Sequence, residues 1–314
     1  MAQTASSNLA RILIIPEVAF GTTPTTGDSQ ELRFTGESLK FGITTETSQE
    51  IRSDRQLADL IQTGAESSGD VNFELSYGTY DELLEAALGG TWSGDKVTNG
   101  TTAKFFSVEQ GFTDINQHIL FKGMGVNSFN LEFSIDSIIT GSVGFMGAES
   151  IRDDESQMPG TPQPTTATEV MDSVSGFAEL MVDGQAFECG VSRVTLTIDA
   201  ALRAQKALGK LGACAINMGT LNITGEIVVY FSDGALYDKY IKNEDLSLTW
   251  TVQDKAGNKY KFNLPRIKFS DGTVNAGGLD QDVELTLPYQ AIYDAASGFT
   301  IEIEREAAVA VPGP

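Results

Sequence analysis

The chain contains 314 residues, 41% of them hydrophobic, and its 43 acidic and 21 basic residues give a net charge of −22 at pH 7. This apolar content can build the core of one large β domain or of two smaller domains, which excludes a chain that is disordered by composition. The acidic surface repels phosphate groups, so it argues against proteins that grip nucleic acid or anionic membranes with basic side chains.

The first predicted element is a short β segment in the apolar run "RILII" (11–15). A long polar segment rich in Thr, Pro and Gly follows it, so we expect residues 1–30 to form an N-terminal arm together with this first β segment. The N-terminus lacks the basic start and apolar core of a signal peptide, and no stretch approaches the roughly 18 apolar residues of a membrane helix. We therefore expect a protein that is made in a cytoplasm and does not enter a membrane.

Alternation of polar and apolar residues dominates the rest of the chain. In "SFNLEFSID" (128–136), every second residue is apolar, which predicts an antiparallel strand with one buried face. The same alternation occurs in "DVNFELSY" (70–77), "VTLTID" (194–199), "LSLTWTV" (246–252) and "DVELTL" (282–287). Only "GTYDELLEAAL" (78–88) and "GALYDKYIK" (234–242) place apolar residues at helical spacing, so we predict one helix in each of these segments.

Each predicted helix follows a strand of similar sequence, which indicates an internal repeat. The segments "SGDVNFELSYGTYDELL" and "TGEIVVYFSDGALYDKY" align without a gap and match Gly69 with Gly225 and Gly78 with Gly234. Upstream, "SLKFGI" aligns with "RVTLTI" at nearly the same spacing, and a β-rich meander follows each helix. Chance can produce one such match, but two matched blocks in the same order favour a duplication.

The repeat and the loop-like stretches predict the domain organisation. The stretch 149–175 is rich in Pro, Thr and acidic residues and indicates a linker or a protruding loop. The complete division is the arm and first β segment at 1–30, a first copy at 31–148, the linker at 149–175, a second copy at 176–304 and a C-terminal arm at 305–314. Within the first copy, residues 44–69 are expected to form a long irregular loop, a feature that is usually functional or contacts a partner.

The sequence contains no recognisable catalytic or cofactor motif. The one histidine, His118, has no serine or cysteine nucleophile motif near it, and we expect it at the surface or on an edge strand. Cys189 and Cys214 have small or apolar neighbours, which favours buried free thiols over a disulfide or a metal site. Other carboxylates occur in groups that lack the spacing of a calcium loop, namely Asp153, Asp154, Glu155, Asp280 and Asp282. We therefore expect a binding or structural protein without catalytic residues, cofactor or metal.

The polar faces of the predicted strands carry hydroxyl, amide and carboxylate groups but few basic residues, Lys40 and Lys268 being the exceptions. A solvated sheet face usually mixes both signs, because opposite charges on neighbouring strands attract. A face without cations would instead let a polyanion slide past without binding. From strand alternation we name four candidates for the lining of such a passage: Glu132, Asp136, Asp282 and Glu284. The alternative is an ordinary acidic outer surface.

Four blocks, "PEVAFGTTP", "LRFTGESL", "EIRSDRQ" and "GDVNFELSYGTYDELLEAAL", together resemble the major tail tube proteins of long, flexible-tailed bacteriophages. The resemblance is strongest over residues 11–90. It implies domains of a β-sandwich or half-barrel type, each with one flanking helix, that close side by side into rings with a β-barrel lumen. Stacked rings of this family form a tube with an electronegative lumen, through which DNA passes from capsid to host without specific binding.

The resemblance also implies partners. These are further copies of the chain and the tail terminator, tape measure and distal tail proteins of the virion. If the chain holds two tube domains, three chains suffice for a ring with pseudo-sixfold symmetry, whereas a second half that is a decoration domain would give rings of six chains. The N-terminal arm and the 44–69 loop would contact neighbouring subunits and rings. In that loop, Arg52, Asp54 and Arg55 are candidates for ion pairs between rings, the alternative being a solvated loop.

Two functions of other classes remain open from the sequence. One is a β-sandwich module on the virion surface that binds the host and does not form a tube. The other is a carbohydrate-active enzyme, which needs a carboxylate pair and aromatic platforms in a cleft. The chain has only two tryptophans, Trp92 and Trp250, and the second alternates with the core residues of its strand. This scarcity argues against the enzyme.

Overall fold

The computed structural model of the chain describes residues 4–174, 176–186, 190–232 and 234–308. The fold is mainly β, as predicted, with the two helices α1 (Asp81–Leu88) and α2 (Ala235–Ile241). The strands of the first half are β1 (Ala10–Pro16), β2 (Gln30–Leu32), β3 (Gly36–Glu37), β4 (Lys40–Thr47), β5 (Leu60–Glu74), β6 (Lys96–Thr98), β7 (Phe105–Phe112), β8 (Gln117–Ser134), β9 (Thr140–Gly147) and β10 (Glu149–Asp153). The strands of the second half are β11 (Phe177–Val182), β12 (Gln185–Ala186), β13 (Val191–Asp199), β14 (Arg203–Gln205), β15 (Ala215–Asn217), β16 (Asn222–Tyr230), β17 (Leu246–Gln253), β18 (Lys259–Phe269), β19 (Thr273–Ala276), β20 (Val283–Ala291) and β21 (Glu302–Glu306).

One antiparallel sheet, here called the central sheet, runs through both halves. Its strand order is β4–β5–β9–β8–β13–β16–β20–β19. The two halves join where β8 pairs with β13 over a continuous register from Ser134 opposite Arg193 to Ser128 opposite Asp199. The end of β18 also pairs with β20 and continues the line of β19. The central sheet therefore has β4 at one edge and β19 at the other.

A second layer of strands packs on one face of the central sheet. In the first half, the beginning of β8 leaves the central sheet and pairs with β7 and β10, and β7 continues to β1 and β2. In the second half, the beginning of β18 pairs with β17 and β21, and β17 continues to β11. A single hydrophobic cluster contains buried residues of both layers, such as Ile12 and Val108 from the second layer and Val71 and Leu196 from the central sheet. The arrangement is β-sandwich-like.

The same succession of strand pairings occurs in both halves. The order β4–β5–β9–β8 of the first half corresponds to β13–β16–β20–β18 of the second, and β1–β7–β8–β10 corresponds to β11–β17–β18–β21. The matched glycines Gly69 and Gly225 both allow a neighbouring backbone to approach closely. A Cβ on Gly69 would lie 2.4 Å from the Ser38 carbonyl oxygen, and a Cβ on Gly225 would lie 2.0 Å from the Thr195 carbonyl oxygen. These correspondences favour a duplication, and the domain boundaries themselves stay a prediction.

Aromatic side chains pack the two halves together behind the β8–β13 seam. Phe133 of the first half lies 5.9 Å from Trp250 and 5.8 Å from Phe262, measured between ring centroids. Trp250 is fully buried and stacks on Phe262 at 5.0 Å, so the inward orientation predicted for this tryptophan is confirmed. Aromatic pairs of this kind stabilise the folded chain by more than the burial of their apolar area alone. The halves therefore share one core.

A second connection between the halves involves the N-terminus of α1. The Asp81 carboxylate accepts hydrogen bonds from the Tyr260 hydroxyl and the Arg305 guanidinium, and Arg305 lies 4.3 Å from the centre of the Trp92 ring. Burial raises the pKa of Tyr260, and the Asp81 carboxylate raises it further, so the hydroxyl stays protonated and donates. A carboxylate at a helix N-terminus also interacts favourably with the helix dipole. These contacts attach α1 of the first half to β18 and β21 of the second.

Both predicted helices are confirmed, but they differ in burial. In α1, the predicted apolar stripe is buried, including Leu83, Leu84 and Leu88. In α2, Leu236 is the buried residue of the helix, and Ile241, which the same pattern placed on the apolar stripe, is 62% exposed. The strands predicted from alternation are also confirmed, although β8 ends at Ser134 and leaves Ile135 exposed.

Two local expectations are wrong. Residues 44–69 do not form an irregular loop, because β4 and β5 pair as a long hairpin whose tip begins at Ser48 and ends at Asp59. His118 is neither at the surface nor on an edge strand but buried in β8 between β7 and β10, with Nδ1 3.1 Å from the Glu109 carboxylate.

Other predicted segments can be placed without settling the boundaries. The stretch 149–175 begins with β10, and β21 reaches into the predicted C-terminal arm. Cys214 is a free thiol that is only partly buried, and Cys189 lies outside the described residues.

Replacing Arg305 with alanine should destabilise the unassembled chain by about 3 kcal/mol, because Asp81 would remain buried without its cation. The measurement is urea denaturation at neutral pH. The matched control is Arg152→Ala, which removes a solvent-exposed pair with Asp154 and should change the free energy of unfolding by less than about 0.5 kcal/mol. Equal effects of the two substitutions would contradict the assignment of Asp81 and Arg305 as a connection between the halves.

Candidate functional site

The face of the central sheet opposite the core is largely polar, with Met146, Val228 and Pro288 among the apolar residues that the register also places there. Residues that face each other on neighbouring strands share a side of a sheet, so the register identifies this face directly. One row across it consists of Glu74, Thr140, Glu132, Thr195 and Glu226. The next row consists of Asn72, Ser142, Asn130, Thr197, Thr224 and Gln290. Around β8 and β9 the face forms a shallow depression of about 570 Å³.

Acidic residues outnumber basic ones on this polar face. The carboxylates that the register places there are Glu66, Asp70, Glu74, Glu132, Asp199, Glu226 and Glu284. The cations are Lys40, Arg193 and Lys268. Lys268 is held 3.4 Å from the Asp245 carboxylate. The polar face therefore has a negative charge that its cations do not balance.

Arg193 lies near the middle of the polar face and is held by two carboxylates. Its guanidinium donates to Glu226 on the neighbouring strand β16 and lies 3.9 Å from Glu132 on β8. All three side chains are partly exposed, so the pairs contribute little to stability. The pairs neutralise the positive charge of Arg193, which reduces its attraction for anions.

The four lumen candidates of the sequence fall into two groups. Glu132 on β8 and Glu284 on β20 lie on the polar face, and Glu284 accepts a hydrogen bond of 3.0 Å from the Ser192 hydroxyl. Asp136 lies in the turn after β8 with φ 53°, and Asp282 lies just before β20. Whether any of them faces a channel stays a prediction.

Sequence reasoning missed Arg193 and Glu226 as members of this face. The strand β16, "NITGEIVVY", has consecutive apolar residues at its end, so its polar face cannot be read from alternation alone. The alternation of "RVTLTI" was the available signal for Arg193, because it places this residue on the same face as Thr195 and Thr197.

The central sheet has a free edge at each end. Among the described residues, β4 pairs with β5 alone and β19 with β20 alone. Each edge also exposes an apolar side chain on the core side of the sheet: Ile43 lies opposite the buried Ala65 and is 55% exposed, and Val274 lies opposite the buried Leu285 and is 42% exposed. An edge with unpaired backbone groups and exposed apolar side chains is a template for pairing with another strand.

The internal seam between β8 and β13 shows what such an edge becomes when it is paired. There, Phe129, Leu131 and Phe133 lie opposite Ile198, Leu196 and Val194, and all of these side chains are buried. The two free edges lack this covering.

The three candidates for contacts between rings lie at the tip of the β4–β5 hairpin. Arg52 and Asp54 pair with each other at 2.7 Å, and the Arg52 guanidinium holds the pKa of Asp54 below its ordinary value. Arg55 adopts a positive φ of 59° beside them. All three are exposed, and their role between rings stays a prediction.

Comparison with known proteins identifies the family. The model of the phage tail tube protein family matches residues 7–291, which is nearly the whole chain. A search of curated proteins returns no match. No helix among the described residues is long and apolar enough to cross a membrane. The chain therefore belongs to the phage tail tube protein family and has a structural role in the tail of the virion.

Proposed function

We propose that copies of this chain close into rings by pairing the free β19 edge of one central sheet with the free β4 edge of the next. The observation that carries the proposal is the pair of unpaired edges with exposed apolar residues at opposite ends of one sheet. Since the two edges differ, each contact is heterologous, and repeated rotation by the same angle closes a ring. The internal β8–β13 seam is the model for the seam between chains, because β8 and β13 correspond to β18–β19 and β4 in the repeated order.

The repeat within the chain also supports a number of chains for each ring. Both halves supply corresponding strands to the central sheet, which supports the division into tube domain copies at 31–148 and 176–304 and speaks against a decoration domain in the second half. We therefore propose rings of three chains with pseudo-sixfold symmetry. Rings of six chains would require that the second half leave the barrel wall.

In such rings the polar face lines the lumen, because the other face carries the core and the second layer. A lumen with excess carboxylates, and with Arg193 already paired, offers DNA few sites at which to bind. The tube would then conduct DNA from capsid to host without specific contacts. Stacking of rings, with Arg52, Asp54 and Arg55 as candidate contacts, would complete the tail tube of a long, flexible-tailed phage.

The remaining partners follow from this role. The tail terminator and the distal tail protein would cover the two ends of the stack, and the tape measure protein would occupy the lumen before DNA does. Synthesis would take place in the host cytoplasm. The competing proposal is a host-binding β-sandwich on the virion surface, which would leave both sheet edges unpaired.

Electron microscopy of the purified protein should show hollow rings or stacked tubes. Averages viewed along the axis should contain three strong repeats and six weaker ones, because each chain supplies two similar but unequal halves. Isolated particles at high concentration under all salt conditions would contradict the proposal and favour the virion-surface module. If the averages showed six identical chains in each ring, the proposed tube would stand, but the proposed ring of three chains would be wrong.

Substituting Val274 with lysine should abolish ring formation and leave the monomer folded. The side chain is already partly exposed in the single chain, but pairing of the edges would bury the new charge against the core side. The matched control is Thr273→Lys, which lies on the same strand but on the polar face. Ring formation is measured by sedimentation and folding by circular dichroism. If the Val274→Lys variant formed rings at the yield of the wild-type protein, this result would contradict the pairing of the β19 and β4 edges.

Freeing Arg193 should create binding sites for DNA inside the tube. The double variant Glu132→Gln and Glu226→Gln removes both carboxylates that neutralise the guanidinium, so assembled virions should eject DNA several-fold more slowly, and added salt should reduce the difference. Adding Arg193→Gln to this variant should restore the ejection rate. Equal rates in all three virions would indicate that the polar face does not meet the DNA.

A further inference from the structure

The connection between β13 and β16, here called the second arm (residues 200–221), folds back over the first half of the same chain. Ala200 N–H donates to the Asn127 carbonyl at 2.8 Å, Leu202 N–H donates to the Asn127 side chain at 2.9 Å, and Ala65 N–H donates to the Leu211 carbonyl at 3.0 Å. These bonds anchor the second arm on β5 and β8 of the first half.

Two close approaches extend this contact to the helix and to the end of β9. Met218 Cε lies 2.4 Å from the point where a Cβ on Gly89, the C-cap of α1, would stand. A Cβ on Gly212 would lie 2.2 Å from the Ala148 carbonyl oxygen, just after β9. The second arm is therefore closely packed on a surface made by the end of α1 and the end of β9.

The connection between β4 and β5, together with the adjoining strand ends, occupies the same place in the first half, and we call this segment the first arm (residues 44–62). Among the described residues, the hydrogen bonds of its tip, residues 48–59, join it only to the arm itself. It also exposes large apolar side chains: Ile51, Leu57, Leu60 and Ile61.

The second half carries an exposed surface at the position that corresponds to the seat of the second arm. The end of α2 corresponds to the end of α1, and the end of β20 corresponds to the end of β9. At these two places Ile241 is 62% exposed and Tyr293 is 59% exposed. One cation lies beside each place: Arg266 donates to the Tyr293 carbonyl, and Lys268 donates to the carbonyl of Asn243, just after α2. An apolar arm and an apolar seat are thus both uncovered in the single chain.

We propose that the first arm of each chain lies on the second half of the neighbouring chain in the same ring, across Ile241 and Tyr293. The occupant is a second copy of this chain, and the contact within the chain between the second arm and the first half is its template. This inference rests on the proposed ring. It goes further in that it assigns the part of the first arm around Ile61 to a lateral neighbour, whereas the tip residues Arg52, Asp54 and Arg55 stay candidates for contacts between rings.

The template also suggests which residues meet. Met218 lies just before β16 and contacts the end of α1. By the spacing that matches Gly69 with Gly225, the corresponding place in the first arm is beside Ile61, which is 52% exposed. Ile61 should therefore lie close to Ile241 of the next chain.

The test is a disulfide between these two positions. Cysteines replace Ile61 and Ile241 in a chain that also carries Cys189→Ser and Cys214→Ser, and assembled rings are oxidised and separated on a non-reducing gel. We expect a covalent ladder that stops at three chains, because the contact closes within one ring. The matched control pairs Leu208→Cys with Ile241→Cys, since Leu208 is a fully exposed residue of the second arm, and it should remain monomeric on the gel.

Each other outcome overturns the inference in a distinct way. A ladder that continues past three chains would place the first arm on another ring. Rings in the micrographs without a covalent product would show that the first arm lies elsewhere, while the proposed function would stand. Absence of rings for the chain with its natural residues would instead overturn the proposed function.

A second variant tests the same contact without a disulfide cross-link. Ile61→Asp places a charge on a side chain that the single chain already exposes, so the monomer should fold as before. The yield of rings should fall at least tenfold, whereas Leu208→Asp should leave it unchanged. An equal yield for both variants would contradict the proposed contact.

Discussion

The pairing of β8 with β13 is the interaction on which the rest of the structure depends. It merges strands from two halves of the chain into one sheet, and it buries Phe129, Leu131 and Phe133 against Val194, Leu196 and Ile198. Because side chains alternate along a strand, the register that buries these residues also places Glu132, Thr195 and Glu226 together on the opposite face. A slip by one residue would exchange the two faces and destroy the core and the polar surface together.

The same seam explains why the two edge strands of the central sheet lack a partner on their outer side. In the repeated order, β13 corresponds to β4 and β8 corresponds to β18, whose line β19 continues along β20, so the counterparts of the two paired strands lie at the free edges of the sheet. The single chain therefore contains one complete seam and the two separate parts of another. Its exposed apolar residues, Ile43 and Val274 at the edges and Ile61 and Ile241 at the arm and its seat, are the residues that assembly is proposed to cover.

Much of this could be predicted from the sequence, and the failures have physical reasons. The alternation in "LSLTWTV" and "SFNLEFSID" is strong enough to identify strands and their buried faces. By contrast, His118 was misplaced because its burial depends on β10, a strand within a stretch whose composition indicates a linker.

The residues 44–69 were misread as a loop because the strand pairing of β4 and β5 continues through 44–47 and 60–63, which have no buried face and hence no alternation. Arg193 was missed because its neutralisation requires Glu226 from the next strand, and a contact across strands is not visible in one segment. The polar candidates Glu132 and Glu284 were found because they stand on strands with regular alternation.

The central claim is that β4 and β19 acquire strand partners on assembly, and hydrogen exchange measures this directly. In the two edge strands, the amides that point away from the neighbouring strand should exchange rapidly in the unassembled chain and become protected in rings, because they lack a partner until another strand pairs with the edge. Amides of β13, which is paired on both sides in the single chain, should be protected in both states. Edge amides that exchange equally fast before and after assembly would contradict the account.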